Sequence, residues 1–297
     1  NQVRDLDDAV NRMSGVTTNG SARPQAQKAI IRGLGGPRVL TVVDGVRQNF
    51  DSTYRGHMYV NYDLVKQVEV VRGPASALWG NGALAGVLSL ETVDPSDLLE
   101  DGKDWGLKLS AGFDTVNDGL RYGSTIFGRT GEIEYLFDIS RQEGNDYDLS
   151  KNEGLEYSEL DNYSTLHKVI WHATENDTFK LQYQTYHADE RKPLREITTD
   201  RTVVNQDAKR NSVKFEYDHN DVNDIFDLSF SAYYTRLDLE DGSFNSSWNR
   251  TKTTYETFGF ELRNQTIIAQ SDDIVHTLTY GLEFFRDQQE GRRDGGQ

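Results

Sequence analysis

The chain has 297 residues, a formal net charge of −16 at pH 7 and no cysteine. The charge argues against nucleic acid as a partner, because phosphate binding needs clustered Lys and Arg, and the lack of cysteine excludes disulfides and thiolate sites within the chain. Only 36% of the residues are hydrophobic, yet 15 Tyr, 13 Phe and 4 Trp are present; this balance suits a sheet protein wet on at least one face, and no stretch approaches the roughly 18 apolar residues of a membrane helix, so strands are left as the elements that could cross a bilayer.

The opening "NQVRDLDDAV" has neither the basic start nor the apolar core of a signal peptide, and the closing "RRDGGQ" reads as a loop, so both ends are expected to be cut points of a longer protein. Residues 1 to about 98 mix short apolar runs with glycine. "KAIIRGLGG", "RVLTVVDGV" and "VKQVEVVRG" each read as a short strand entering a tight Gly or Asp-Gly turn, and "NYDLVKQ" has room for one helical turn before the third. This half reads as a compact α+β domain. Within it, "VRGPASALWGNGALAGVLSL" (71–90) holds Gly73, Pro74, Gly80, Gly82 and Gly86 but no Cys, His, Asp or Glu.

From Trp105 the texture changes to long alternating segments. "EIEYLFDIS" puts Ile133, Tyr135, Phe137 and Ile139 on one face and Glu134, Leu136, Asp138 and Ser140 on the other. "TFKLQYQTY", "IFDLSFSAYY" and "IVHTLTYGLEFF" repeat the pattern, with Leu181, Phe230 and Leu282 on the apolar side. A period of two marks strands with one apolar and one polar face. About nine strands are expected, at 105–113, 120–128, 132–141, 161–173, 178–188, 208–219, 225–237, 253–269 and 274–286. Short connections (128–132, 174–177, 220–224, 270–273) alternate with long ones (142–160, 189–207, 238–252). Short turns at one end and long loops at the other describe an outer-membrane barrel. An odd strand count agrees with a partial barrel, since bacterial barrels normally have an even number. The competing reading is a secreted β-sandwich or propeller; sandwich strands are shorter and richer in Val and Ile, and no propeller repeat is visible.

"AIIRGLGGPRVLTVVDGVRQN" followed by "LVKQVEVVRGPASALWGNGALAGVLSLETVDPSDLL" resembles the plug domain of TonB-dependent outer-membrane receptors, with the elements in that family's order and spacing. The wording of "IRGLGG", "VDGVRQN" and "ETVDPSDLL" is most similar to the heme/hemoglobin (and transferrin/lactoferrin) receptor branch. The resemblance implies an α+β plug over 1–98, lacking its N-terminal part and TonB box, followed over 99–297 by an incomplete all-β antiparallel transmembrane barrel of about 22 strands. It implies a monomer in the bacterial outer membrane that takes in heme as a transported ligand, not a prosthetic group. TonB with the ExbB/ExbD complex would energise uptake. A ferric-siderophore or other nutrient receptor is the alternative. No HExxH, GxSxG or GxxxxGK is present, and no enzyme activity is expected.

The plug-motif residues are Arg32, Gly33, Asp44, Gly45, Arg72, Gly73, Pro74, Gly80, Gly82 and Gly86. The glycines permit tight turns and close approach to a barrel wall, and Pro74 fixes a bend. Arg32 and Arg72 are expected to pair with lumen carboxylates such as Glu134 or Asp138. In the heme branch a plug-apex histidine after "DGVRQ" is an axial iron ligand. Here that position falls on Tyr54, and His57 lies three residues on. Phenolate and imidazole both ligate ferric heme, so the apex candidates are His57, Tyr54, Arg55 and Tyr59, with a second ligand expected beyond Gln297.

The other histidines read as bland. His167 and His172, five apart on one strand, face opposite sides; pairing through "TEND" is expected to put His172 near Phe179, His167 near Gln184 and His187 near Ser164. No metal cluster follows from that arrangement. His276 sits beside a short turn, at the membrane interface. The segment 143–161 carries seven acidic residues without EF-hand spacing and reads as a solvated loop, whose Tyr147 and Tyr157 could contact a protein ligand.

Overall fold

The computed structural model describes residues 3–20, 23–50, 57–150, 153–193, 203–220, 226–243, 250–270 and 275–293. Alternation dictates the larger part. The strands β7 (Trp105–Asp114), β8 (Gly119–Thr130), β9 (Ile133–Gly144), β12 (Leu160–His172), β13 (Asp177–Pro193), β14 (Val203–Asn220), β15 (Asp227–Ser243), β16 (Thr251–Gln270) and β17 (Val275–Arg293) form one antiparallel sheet. Its spatial order is the chain order, from β7 at one edge to β17 at the other. Between β9 and β12 a small hairpin, β10 (Tyr147–Ser150) with β11 (Glu153–Leu155), occupies the segment expected to be a plain loop.

The two faces of this wall differ as the pattern demands. Leu109 (74% exposed), Ile139 (62%), Leu181 (52%) and Tyr280 (52%) stand on the outer face. Leu136, Lys168, Gln182 and Arg210 on the opposite face are buried. A sandwich would have hidden those outer aromatic and aliphatic side chains between two sheets. Here they form a continuous exposed apolar face, which monomeric soluble proteins rarely carry on this scale, and which matches a lipid-facing band.

The strands outrun their expected limits at the long-loop end. β13 continues to Pro193, β14 begins at Val203, β15 ends at Ser243 and β17 at Arg293. "ADERKP" and "RDQQEGRR" are polar on both faces, so apolar alternation stops there. Backbone pairing does not stop with it: Pro193 still faces Val203, and Thr251 faces Arg293. The pairing through "TEND" also differs from expectation by one residue: His172 faces Thr178, His167 faces Tyr183 and His187 faces Tyr163. The Ala173 amide donates to the Asp177 carbonyl at 2.9 Å, which closes the turn on 174–176.

The first hundred residues build a smaller unit on the inward face. Strand β1 (Val16–Asn19) pairs with β2 (Lys28–Ile31). A second sheet has the order β4-β3-β6-β5, from β3 (Val39–Val43), β4 (Val46–Arg47), β5 (Val65–Arg72) and β6 (Gly86–Thr92). Strands β3 and β6 run parallel, and the other two pairings are antiparallel. The helices are single turns: α1 (Leu6–Val10), α2 (Ser76–Trp79) and α3 (Pro95–Leu98). The helical turn expected in "NYDLVKQ" is Tyr62–Leu64. Leu6, Val10, Ile31, Val43, Met58, Leu88 and Leu90 make the unit's own core. Two further clusters join it to the wall: Leu64 and Val93 against Phe127, Leu136 and Leu166, and Phe50 and Tyr59 against Tyr186, Ala208, Leu237 and Leu239.

Candidate functional site

The apex candidates flank a gap in the description. Tyr54 and Arg55 fall in 51–56, outside the described residues. On one side, Phe50 is buried and packs on Tyr255 with ring centroids 5.3 Å apart. On the other, the backbone N–H groups of His57 and Met58 both donate to the Gln25 carbonyl, at 2.7 and 3.0 Å. The His57 ring is partly exposed, and its Nδ1 lies 2.9 Å from the Phe50 carbonyl oxygen. A carbonyl only accepts, so Nδ1 carries the proton and a neutral ring places its lone pair on Nε2. A carbonyl on the far nitrogen is the arrangement that orients metal-ligating histidines. Tyr59 differs from its neighbour: it is 1% exposed and meets Tyr186 edge-on at 5.5 Å. Arg210 donates to its carbonyl at 3.3 Å. The structure thus gives His57 to the partly exposed segment and Tyr59 to the seam with the wall. The wall residues of that seam lie on β13, β14 and β15, toward the end where the long connections 194–202 and 244–249 emerge.

The motif residues sit at turns and close approaches. Asp44 and Gly45, with φ +49 and +75, form the tight turn between β3 and β4. Gly33, Gly73 and Gly82 also have positive φ, and Gly73 donates to the Ala85 carbonyl at 2.9 Å just before the bend at Pro74. Gly86 is required by space, because a Cβ there would collide with the Val71 carbonyl. Gly80 is required by its backbone, at φ +66, and faces the movable ends of the Glu283 and Arg47 side chains.

Among the described residues, neither Arg32 nor Arg72 pairs with the expected lumen carboxylates. Both arginines are exposed. The Arg32 amide donates to the Gly15 carbonyl at 2.8 Å, and the Arg72 guanidinium donates to the Ser14 carbonyl at 2.7 Å. Glu134 is already held by Arg129, directly across the β8–β9 hairpin, and by His172 at 3.3 Å. Asp138 accepts from Thr125 and Ser140, both at 2.7 Å. Arg47, which the motif reading passed over, does hold a wall carboxylate. It donates to both oxygens of Glu283, at 2.7 and 2.9 Å. It also donates to the carbonyls of Trp79 and Asn81 and lies 4.4 Å from the Phe285 ring centre. The "DGVR" arginine was visible in the sequence; its partner, 236 residues away, was not.

Residues 1–87 match the family described as TonB-dependent Receptor Plug Domain. The chain is 29% identical over 294 residues to the "Hemin receptor" of Yersinia pestis, covering 95% of this chain and 42% of that protein. The "Heme/hemopexin utilization protein C" of Haemophilus influenzae is 42% identical over 117 residues, 39% of this chain and 16% of that one. Two solved structures superpose with a TM-score of 0.86: the FrpB iron transporter of Neisseria meningitidis (22% identity, 98% of this chain, 46% of that one) and the Serratia marcescens hemophore receptor HasR with its hemophore HasA and heme (24%, 99% and 44%). Residues 1–87 thus carry a TonB-dependent receptor plug domain, and the chain as a whole has the fold of the two structures it superposes on. It spans about two fifths of the length of the hemin receptor it matches.

The inner unit contains the matched plug domain, and its contacts with the wall are ionic as well as apolar. Lys168, completely buried on β12, donates to the Thr92 carbonyl at 3.0 Å and to Asp94 at 2.7 Å. Lys180 on β13 donates to the same Asp94 oxygen at 2.8 Å. Asp44 accepts from Gln182, from the Thr92 hydroxyl (both 2.7 Å) and from the Thr92 amide at 2.8 Å, while its carbonyl accepts from Lys214 at 2.5 Å. Burial opposes ionisation of Asp44 and Asp94. The Lys168 charge and the hydrogen bonds outweigh it in Asp44, and Lys168 with Lys180 does so in Asp94, so both carboxyls sit below the ordinary carboxylate range.

Proposed function

We propose that the full-length receptor imports heme across the outer membrane, with TonB and the ExbB/ExbD complex supplying the energy. The observation that carries this reading is the resemblance along nearly the whole chain to proteins named for hemin. The His57 ring supports it, because its Nδ1 faces the Phe50 carbonyl, the arrangement that orients metal-ligating histidines. Heme here is cargo. Contacts of the plug apex and the long loops would capture it from a heme protein such as hemoglobin. Binding alone cannot drive uphill transport, since a ligand shifts an equilibrium only by its differential affinity for two states. An outside force on the plug is therefore part of the proposal, applied through a TonB box.

Titration of ferric heme into the full-length receptor in detergent tests the reading. A Soret shift lost in His57→Ala and kept in Tyr54→Phe assigns the imidazole; the reverse assigns the phenolate. Spectra unchanged from free heme in the unmodified receptor, with tight binding of a ferric siderophore instead, would overturn heme as the cargo.

A further inference from the structure

One buried junction between plug and wall is not accounted for by the plug motifs. Arg23 is 4% exposed and Glu190 on β13 is 3% exposed. Arg23 donates through Nη2 to the Tyr157 carbonyl, just beyond β11, and to the Arg191 carbonyl at 3.3 Å. Its Nε lies 3.6 Å from Glu190 Oε2. Gln25 Nε2 donates to that same oxygen at 2.6 Å. The Gln25 carbonyl is the acceptor for the His57 and Met58 amides. Within three residues of plug backbone, the junction therefore touches the loop hairpin, the upper part of β13 and the segment bearing His57.

Two details make this junction more than a strut. Glu190 Oε1 is buried and accepts no hydrogen bond, and a buried carboxylate oxygen lacking a donor is costly. Arg23 is the cation beside it. Tyr157, whose carbonyl takes the guanidinium, sits at φ +62, a conformation that non-glycine residues seldom adopt. One guanidinium thus joins the hairpin carbonyl, through Nη2, to the Glu190 carboxylate beside its Nε. Moving the hairpin carbonyl therefore shifts the guanidinium against Glu190, and Gln25, bonded to the same carboxylate oxygen, must adjust with it.

We infer that Arg23, Glu190 and Gln25 are positioning residues that couple the 147–157 hairpin to the backbone of His57, so that a partner engaging the hairpin alters how the apex segment is held. The consequence for cargo rests on the heme reading above; the coupling itself does not.

Hydrogen exchange on the full-length receptor in detergent, without ligand, tests the coupling. Arg23→Gln is expected to speed exchange about tenfold in peptides covering both 147–158 and 57–60. Glu190→Gln, which keeps the side-chain shape, is expected to speed exchange at 57–60 and leave the hairpin as it was. Should the Arg23 variant fail to assemble, Glu156→Cys carrying a bulky maleimide displaces the hairpin with the junction intact; Glu156 is exposed. Faster exchange at 57–60 is again expected. A hairpin that loosens in either variant while 57–60 exchanges at the unmodified rate overturns the inference. Absence of a Soret shift with the exchange coupling intact would instead sink only the heme reading.

Discussion

Lys168 is an ammonium with no solvent, facing a carbonyl and a carboxylate of the plug. Replacing Lys168 leaves the Thr92 carbonyl without its donor and Asp94 with Lys180 as its wall partner, so the loss should be smaller than the roughly 3–5 kcal/mol of a fully stranded buried charge. Lys168→Met should therefore expose the plug to protease at slightly lower urea than the unmodified receptor, and Lys168→Met with Asp94→Leu, which also strands Lys180, should lower it further. Equal protease profiles in the single variant and the parent would show that the contact contributes little. The pH response follows from sign. Asp44 and Asp94 titrate below their ordinary values when docked, so their stabilisation is present above the unfolded value of about 4 and fades as pH falls toward the docked values. Plug protection should be flat from neutral pH down to about 5 and decline only below about 4. A decline already complete by pH 6 would point to histidine instead.

At the scale of strands, the period of two made the wall legible. Each of the nine observed strands contains most of its expected range, because lipid on one side and a polar lumen on the other force every second residue to be apolar. The same rule contained a correction to the pairing through "TEND". Directly opposed residues share a face, so His172 cannot oppose Phe179, which lies on the apolar side with Trp171; the observed Trp171–Phe179 stack, at 5.4 Å, satisfies the rule. Where the strands leave the apolar zone the signal ended, and the extensions to Pro193, Ser243 and Arg293 were read as loops. The outer face is open to a direct test. Leu181→Lys should cost about 2–4 kcal/mol if it meets the bilayer interior, measured as a lowered urea midpoint for folding into lipid vesicles. Thr185→Lys, on the same face but four residues nearer the long-loop end, should cost less. Equal costs at the two positions would contradict a depth-dependent lipid contact.

For the molecule as a whole, the plug's character was legible in glycine, and its docking was not. Gly86 stands where a side chain cannot fit and Gly80 in a backbone conformation that side chains disfavour, and their spacing is visible in the chain. Which arginine meets which carboxylate depends on how two separately folded surfaces meet. Arg32 and Arg72 were reasonable candidates, but Glu134 had a partner five residues away across its own hairpin, and Arg47 took the distant Glu283. Likewise Asp44 was expected for its turn, and nothing in its surroundings along the chain announced Gln182 or Lys214.

Lys168 and Lys214 oppose Gln182 from either side, and Lys180 lies two residues along the same strand. While the plug is seated, these ammonium groups face Asp44 and Asp94. Pulling residues 44 and 94 away would leave these three ammonium groups against the one carboxylate of Glu216, a local excess of positive charge on a newly opened passage. The set that fastens the cork would then set the electrical preference of the bore. Planar-bilayer recordings from the full-length receptor with the plug deleted should accordingly show chloride favoured over potassium, and Lys168→Gln with Lys180→Gln should erase that preference.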